Sequence, residues 1–285
     1  MNRIPFEVAL RVPVFGVVAR RGWLIEGAAG WGECSPLPSW SESERRAGER
    51  AAEEAAEREF PAALHERIAV NAMVPRLAPD DAARLAAESR CGTIKVKVGD
   101  VAGVDRVAAV RAACGPRARI RIDANGSWDL DGADRELRRF RPFDIELVED
   151  PVAGLEDLTM IRRRSPFPVA AETAIRTIDD ARRLHELGAA DIVVLKPQRL
   201  GGVCAALDAA EAAGVPAIAS SALETSVGLA AVVALAAALP PVPFAHGAGT
   251  ALLLASDVTD EPLMPDGGWL EPRRPRPVAS LVAHA

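Results

Sequence analysis

The chain has 285 residues, of which 49% are hydrophobic, so it can bury a large core and is not intrinsically disordered. A formal net charge of −6 and a pI near 5.4 indicate no basic surface of the kind that binds nucleic acid. The longest apolar run, 227–239, is too short to cross a bilayer, so no membrane partner is expected.

The four cysteines, Cys34, Cys91, Cys114 and Cys204, lack the short spacing of a zinc or redox motif. We interpret them as reduced core residues of a cytosolic protein. The first residues lack the hydrophobic region of a signal peptide, which agrees with a cytoplasmic location. The sequence is compatible with a monomer and does not exclude an oligomer.

Residues 1–66 are typical of a small α+β domain. Alternating apolar residues and Gly/Pro punctuation predict three strands followed by a loop and an Ala-, Glu- and Arg-rich helix. The expected strands are 6–12, 14–20 and 23–27, the loop closes the stretch 30–36, and the helix covers 42–64.

From residue 67 the pattern changes to alternating strands and helices. The predicted strands are 68–74, 93–98, 119–124, 145–149, 168–172, 191–196, 216–221 and 242–246. The predicted helices are 79–89, 101–113, 131–140, 155–164, 178–187, 202–213 and 226–239. This order predicts an α/β fold with a TIM-like (β/α)7β barrel over 67–260. The tail, about 261–285, is expected to pack back on the first domain, which would cap the barrel. An open doubly wound sheet is the competing fold, but no GxGxxG motif follows an early strand.

Five charged residues close successive predicted strands: Lys97, Asp123, Glu149, Glu172 and Lys196. The intervals between them are 26, 26, 23 and 24 residues, which is one strand–helix unit each. Acids at such positions can simply cap the next helix. Because the carboxyl ends of barrel strands meet at one rim, however, we favour a functional cluster of three carboxylates flanked by lysines.

Lys95 shares one face of its strand with Lys97, since side chains alternate in a strand. That face is either the solvent face of an amphipathic edge strand or part of a reactive site. Three adjacent carboxylates require a cation, and their oxygen ligands favour Mg²⁺, with Mn²⁺ as a substitute. A lysine whose pKa is lowered by burial and neighbouring cations can act as a base. The combination suits a small-molecule carboxylate substrate that passes through an enediolate.

These residues resemble those of the enolase superfamily, in particular its muconate-cycloisomerase-like subgroup. The resemblance covers nearly the whole chain and rests on the Lys-x-Lys, Asp, Glu, acid, Lys series. Further support comes from the stretches 121–126, 194–197 and 220–229. Within the subgroup, the details are most similar to dehydratases of the actinobacterial type.

The resemblance implies a role for each residue of the series. Lys97 would remove the α-proton and return it to the departing hydroxyl in a syn dehydration. Lys196, on the opposite face of the substrate, would stabilise the enediolate. The implied Mg²⁺ ligands are Asp123, Glu149 and Glu172.

The resemblance also implies a set of supporting groups. Lys95 would assist Lys97. Arg121 lies two residues before Asp123, so both side chains point to the same face of the strand, and Arg121 would contact the substrate. Asn125, Ser220 and Ser221 would line the pocket.

The chain departs from the family pattern at two places. The third ligand is followed by a threonine, so that Glu172-Thr173 stands where the family commonly has Asp-Glu. The capping domain is also short, which weakens any inference about substrate specificity.

Four other functions fit parts of the same sequence pattern. Two lysines also suit an N-succinylamino acid racemase or a dipeptide epimerase, although the epimerases usually carry Asp-x-Asp where this chain has Phe244-Ala245-His246. A muconate-type cycloisomerase would use His246 as an acid–base group. A non-catalytic binding barrel is the alternative from another class.

Overall fold

The computed structural model describes residues 2–282. Its strands are β1 Arg3–Val14, β2 Val17–Gly27, β3 Gly30–Cys34, β4 Ile68–Ala69, β5 Asn71–Val74, β6 Thr93–Lys97, β7 Arg119–Asp123, β8 Ile145–Glu149, β9 Val169–Ala171, β10 Ile192–Leu195, β11 Ala217–Ala219 and β12 Trp269–Leu270. Its α-helices are α1 Glu42–Glu57, α2 Pro79–Glu88, α3 Gly103–Cys114, α4 Leu130–Phe140, α5 Leu155–Arg162, α6 Ile178–Leu187, α7 Pro197–Leu200, α8 Val203–Ala213, α9 Ser226–Ala238 and α10 Ala279–Val282. Short 3-10 helices cover Arg141–Phe143 and Gly249–Leu253.

The described residues form two compact units. The sheet unit consists of Asn71–Val194 and Ala209–Ile218. The capping unit consists of residues 2–70, 195–208 and 219–282. The domain boundary expected between residues 66 and 67 stays a prediction. Residues 283–285 of the expected tail and Met1 of the expected first domain lie outside the described residues.

The sheet unit is built on parallel strands that follow one another in chain order. In residues 2–282 the sheet has seven strands, in the order β11-β10-β9-β8-β7-β6-β5. Helices occupy the connections, as the alternating sequence pattern predicts. The apolar residues of the strands that end in charged residues are fully buried, among them Ile94, Val96, Ile120, Ile122 and Val148. Burial on both faces explains why these strands are almost continuously apolar.

The predicted last strand, 242–246, is wrong as a strand. The capping unit shows only isolated bridges there, between Val70 and His246 and between Ser220 and Gly247. Proline at 243 removes a ladder donor within this segment and another proline, at 241, directly precedes it, which explains why no regular strand forms. The predicted strand 68–74 is likewise divided, because β4 pairs antiparallel with β12 while β5 joins the parallel sheet.

The capping unit begins with the antiparallel sheet β1-β2-β3, whose strand boundaries differ from those predicted. The segment 14–20 is not one strand, because Phe15 and Gly16 form a tight turn with φ of 51° and 77°. Positive φ at both positions is typical of the two-residue turn that joins strands in a hairpin. The third strand is β3 rather than 23–27, which belongs to β2.

The helix predicted at 42–64 is confirmed at its start and is too long at its end. Ser41 caps α1 in a capping box with Glu44. The helix stops at Glu57, and Pro61 follows three residues after the C-cap residue Arg58. A proline there disfavours a helical conformation for the residue before it.

Two other predictions concern single features of the chain. The cysteines are all free, but only Cys34 and Cys91 are buried. Cys204 is exposed on α8, so the prediction that it is a core residue is wrong. Over residues 2–282, no helix has the combination of length and apolar character that a bilayer crossing requires.

Candidate active site

The two lysines of β6 are buried rather than solvated. All five residues of Thr93–Lys97 are buried, and β6 lies between β5 and β7 in the sheet. The strand is therefore not an amphipathic edge strand with a solvent face. Two buried ammonium groups need anionic partners, because burying an unpaired charge is costly.

Those partners come from the ends of the next two strands. The parallel register places Lys97 opposite Asp123 and Asp123 opposite Glu149. Lys97 Nζ donates to Asp123 Oδ2 at 2.5 Å and to Asn125 Oδ1 at 2.9 Å. Lys95 Nζ donates to Glu149 Oε1 at 3.0 Å and lies 3.3 Å from Asp123 Oδ2. The structure thus brings together five of the residues predicted from the sequence.

The charges of this cluster determine its titration. Burial alone would raise the pKa of Asp123, but the Lys97 and Lys95 ammonium groups outweigh burial and hold that pKa below its ordinary value. Burial alone would lower the pKa of Lys95, but Glu149, Asp123 and Glu172 raise it above its ordinary value. For Lys95, the neighbouring carboxylates therefore outweigh burial. The lowered pKa expected for the base Lys97 stays a prediction.

Two further carboxyl groups bind their protons more tightly than usual. Burial is the main cause that raises the pKa of Glu149 to about 7; Lys95 opposes it, and the charges of Asp123 and Glu172 reinforce it. Burial also raises the pKa of Asp150 to about 7, helped by the carboxylates of Glu172, Asp123 and Glu149. The cluster contains more acidic groups than its two lysines can neutralise.

Glu172 is buried directly after β9. Its charge acts on Lys95, Glu149 and Asp150, so it belongs to the same electrostatic cluster. As the side chains stand, no three Asp, Glu, His or Cys groups within residues 2–282 are arranged to hold one metal ion. The three predicted ligands therefore share one charged environment without forming a finished coordination site.

The chemistry of the donor set nevertheless fits a hard divalent cation. Asp123, Glu149 and Glu172 offer only oxygen donors, and all three are buried. The raised pKa of Glu149 reflects burial and uncompensated negative charge, which a bound cation would relieve.

Arg121 is directed to a different partner. Its Nε donates to Glu146 Oε2 at 2.5 Å, and Arg119 Nη1 donates to Glu146 Oε1 at 3.2 Å. The register between β7 and β8 shifts between Ile120 and Arg121, which gives β8 one extra residue at this point. Such a bulge re-aims a side chain. The predicted contact between Arg121 and the substrate stays a prediction.

The other three predicted residues belong to the capping unit. Lys196 directly follows β10 and occupies the N-cap position of α7. Ser221 Oγ donates to Glu224 Oε2 at 2.6 Å and accepts from Thr250 Oγ1 at 2.7 Å. The backbone N–H of Ser220 donates to Leu195 O at 2.8 Å.

Sequence reasoning missed Asp150. It has no exposed surface and adopts a φ of 43°, which is uncommon for a residue other than glycine. Its carboxylate accepts hydrogen bonds from the backbone N–H groups of Glu172 and Thr173, at 2.9 and 2.8 Å. The only sequence signal was a second acid directly after Glu149, ahead of Pro151.

Comparisons with known proteins agree with this architecture. Residues 78–277 match the family described as enolase C-terminal domain-like, and residues 5–56 match the family described as enolase N-terminal domain-like. A solved muconate lactonizing enzyme from Pseudomonas fluorescens superposes with a TM-score of 0.87 at 20% identity, covering 99% of this chain and 97% of that one. The predicted (β/α)7β barrel with a small N-terminal capping domain is thereby confirmed.

Two curated relatives carry the same name. The o-succinylbenzoate synthase of Thermobifida fusca (strain YX) is 49% identical over 274 residues, which cover 94% of this chain and 86% of the relative. The o-succinylbenzoate synthase of Mycobacterium ulcerans (strain Agy99) is 38% identical over 275 residues, which cover 94% of this chain and 83% of the relative.

Proposed function

The chain belongs to the enolase superfamily, and from that premise we propose that it is an o-succinylbenzoate synthase. It is a hydro-lyase that dehydrates 2-succinyl-6-hydroxy-2,4-cyclohexadiene-1-carboxylate to 2-succinylbenzoate, a step of menaquinone biosynthesis. The observation that carries the chemistry is Lys97, buried beside Asp123 and Asn125. The substrate is proposed from the name that the relatives share.

Lys97 moves the proton in both halves of the proposed reaction. As a neutral amine it removes the proton on the carbon next to the substrate carboxylate, and the electron pair of the broken C–H bond enters an enediolate. The resulting ammonium then returns that proton to the hydroxyl group as the C–O bond breaks. Water leaves and the ring becomes aromatic.

Lys97 must lose a proton before it can act as a base. In the structure, Asp123 and Asn125 accept hydrogen bonds from Nζ, and the Asp123 carboxylate favours the ammonium form. A divalent cation held by Asp123, Glu149 and Glu172 would compete with Lys97 for the Asp123 carboxylate and would thereby favour the neutral amine.

We assign the metal ligands to Asp123, Glu149 and Glu172, and we propose Mg²⁺ with Mn²⁺ as a substitute. A bound divalent cation supplies Lewis-acid stabilisation of the negative charge that develops on the substrate carboxylate. Lys95 holds Glu149 and limits its repulsion with Asp123. Lys196 is assigned to the enediolate as a stabilising cation, and Asn125, Ser220 and Ser221 to the pocket.

A racemase of N-succinylamino acids is the second candidate, because it would use the same two lysines. The test is a spectrophotometric dehydration assay, run beside α-proton exchange of N-succinylamino acids in D₂O followed by NMR. We expect efficient dehydration. Efficient racemisation with no turnover of the cyclohexadiene would contradict the assignment and favour the racemase.

Lys196→Arg separates the two reactions further. A dehydratase needs only a cation at this position, so the variant should retain some dehydration, to the extent that the bulkier guanidinium fits. A racemase needs a second base, so the same variant should lose two-base racemisation. Equal loss of both activities would contradict the role proposed for Lys196.

A further inference from the structure

The position of Glu172 depends on more than its own strand. β9 has only three residues, Val169–Ala171, and Glu172 follows its last one. A strand this short offers few ladder hydrogen bonds, and Glu172 lies beyond them, where a turn begins with Ile175 N–H donating to Glu172 O at 3.0 Å. Another group must fix the backbone at this point if Glu172 is to hold a defined place.

Asp150 supplies that constraint. Its Oδ1 accepts from the Glu172 N–H and its Oδ2 from the Thr173 N–H, so each carboxylate oxygen binds one backbone donor. In its ionised form the carboxylate can accept at both oxygens, and hydrogen bonds to an ionised acceptor are about twice as strong as neutral ones. Because both oxygens face backbone donors, the geometry is that of a clamp on the turn after β9.

The backbone of Asp150 extends the same constraint to the neighbouring strands. Its N–H donates to Ala170 O at 2.9 Å, and its carbonyl accepts from the Gly126 N–H at 2.7 Å. Asp150 itself follows Glu149 directly. One residue therefore joins the chain segments that carry Asp123, Glu149 and Glu172.

We propose that Asp150 is a positioning residue that sets the place of Glu172 in the metal-ligand set. The inference rests on the proposed function, because it takes Glu172 to be a ligand. Asp150 acts through the backbone of residues 172 and 173.

The chain offers a matched control at the other end of the same strand. Asp191 Oδ2 accepts from the Val169 N–H at 2.9 Å, and its Oδ1 accepts from Arg162 Nε at 2.8 Å. Asp191 thus clamps the first residue of β9, while Asp150 clamps the residues after its last one. Loss of either clamp loosens β9, but only loss of the Asp150 clamp releases Glu172.

The experiment measures Mn²⁺ binding by electron paramagnetic resonance, without substrate, in the wild type and in Asp150→Asn and Asp191→Asn. Thermal unfolding in EDTA is measured in parallel. Asp150→Asn should weaken Mn²⁺ binding 10- to 100-fold, as loss of a group that orients a metal ligand typically does. Asp191→Asn should lower the melting temperature but keep the wild-type affinity for Mn²⁺.

A second variant separates position from charge. Asp150→Glu keeps the negative charge and moves the carboxylate by one methylene, so it should also weaken Mn²⁺ binding. Wild-type affinity in either folded Asp150 variant overturns the proposal, as does an equal loss of affinity in Asp191→Asn. A wild type that binds no Mn²⁺ would instead overturn the proposed metal site.

Discussion

Two groups of buried carboxylates in this chain are stabilised in different ways. In the sheet unit, Asp123 and Glu149 are held by the long side chains of Lys95 and Lys97. In the capping unit, Glu33 accepts from Ser35 Oγ at 2.5 Å, from the Thr225 N–H at 3.2 Å and from the Gly228 N–H at 2.9 Å. The first group pairs with the ammonium groups of two lysines, whereas Glu33 accepts these hydrogen bonds from neutral donors.

The difference matches the proposed roles of the two groups, one reactive and the other structural. The donors to Glu33 belong largely to the first turn of α9, whose backbone N–H groups have no partners within the helix. A carboxylate at that place accepts hydrogen bonds from these N–H groups, and its negative charge interacts favourably with the positive end of the helix dipole. Lysine ammonium groups, in contrast, can exchange a proton or leave a carboxylate that binds a cation, so the sheet-unit cluster can change state during a reaction.

The largest effect is expected at Lys97. Lys97→Ala removes the base, which should lower kcat on the order of 10²- to 10⁴-fold or more, because the residue acts twice in the proposed reaction. The measurement is steady-state dehydration kinetics with metal at saturation. Arg84→Ala, which breaks an exposed ion pair with Asp81 on α2, is the control and should be close to wild type. If Lys97→Ala keeps near-normal kcat, the cluster does not do the chemistry assigned to it.

The second effect concerns stability and is expected at Glu33. Burial is the main cause that raises its pKa from 4.5 to about 7, although hydrogen bonds from Ser35 and Thr225 oppose it. The folded state therefore binds this proton more tightly than the unfolded state. The contribution of Glu33 to stability is fully present below pH 4.5 and is lost as pH rises through about 7, a change on the order of 3 kcal/mol.

Glu33→Gln tests that prediction, because glutamine does not titrate. Urea denaturation gives the free energy of unfolding of the wild type and of the variant. The difference between them, wild type minus variant, should fall by about 3 kcal/mol between pH 4 and pH 8. Glu53→Gln, at an exposed position of α1, controls for the loss of one negative charge. A difference for Glu33→Gln that rises with pH would show that its hydrogen bonds outweigh its burial.

The third and smallest effect is expected at Glu172. Glu172→Gln removes one charge from the ligand set and should weaken metal affinity at least as much as the 10- to 100-fold typical of supporting groups. Ala171→Ser and Thr173→Ser should be mild. Metal titration by calorimetry measures all three variants. If Thr173→Ser weakens metal affinity as much as Glu172→Gln does, the third ligand has been assigned to the wrong residue of this strand.

Much of the site could be predicted because parallel strands carry their ends to one level. The strands predicted at 93–98, 119–124 and 145–149 coincide within a residue or two with β6, β7 and β8. Their pairing in register then makes contacts between Lys97, Asp123 and Glu149 a consequence of the sequence spacing.

The features that were missed depend on distant backbone atoms or on local irregularities. Asp150 matters through N–H groups 22 and 23 residues away, which no local pattern encodes. Arg121 meets Glu146 because of a one-residue shift in register, and such shifts have no clear sequence signal. The prolines at 241 and 243 could have excluded a regular last strand, because proline cannot donate to a ladder.

The most direct test of the central claim is dehydration of 2-succinyl-6-hydroxy-2,4-cyclohexadiene-1-carboxylate by the metal-stripped wild type. After EDTA treatment and removal of the chelator, we predict no turnover, and full recovery on addition of Mg²⁺ or Mn²⁺. Undiminished turnover by the metal-free enzyme would contradict the account.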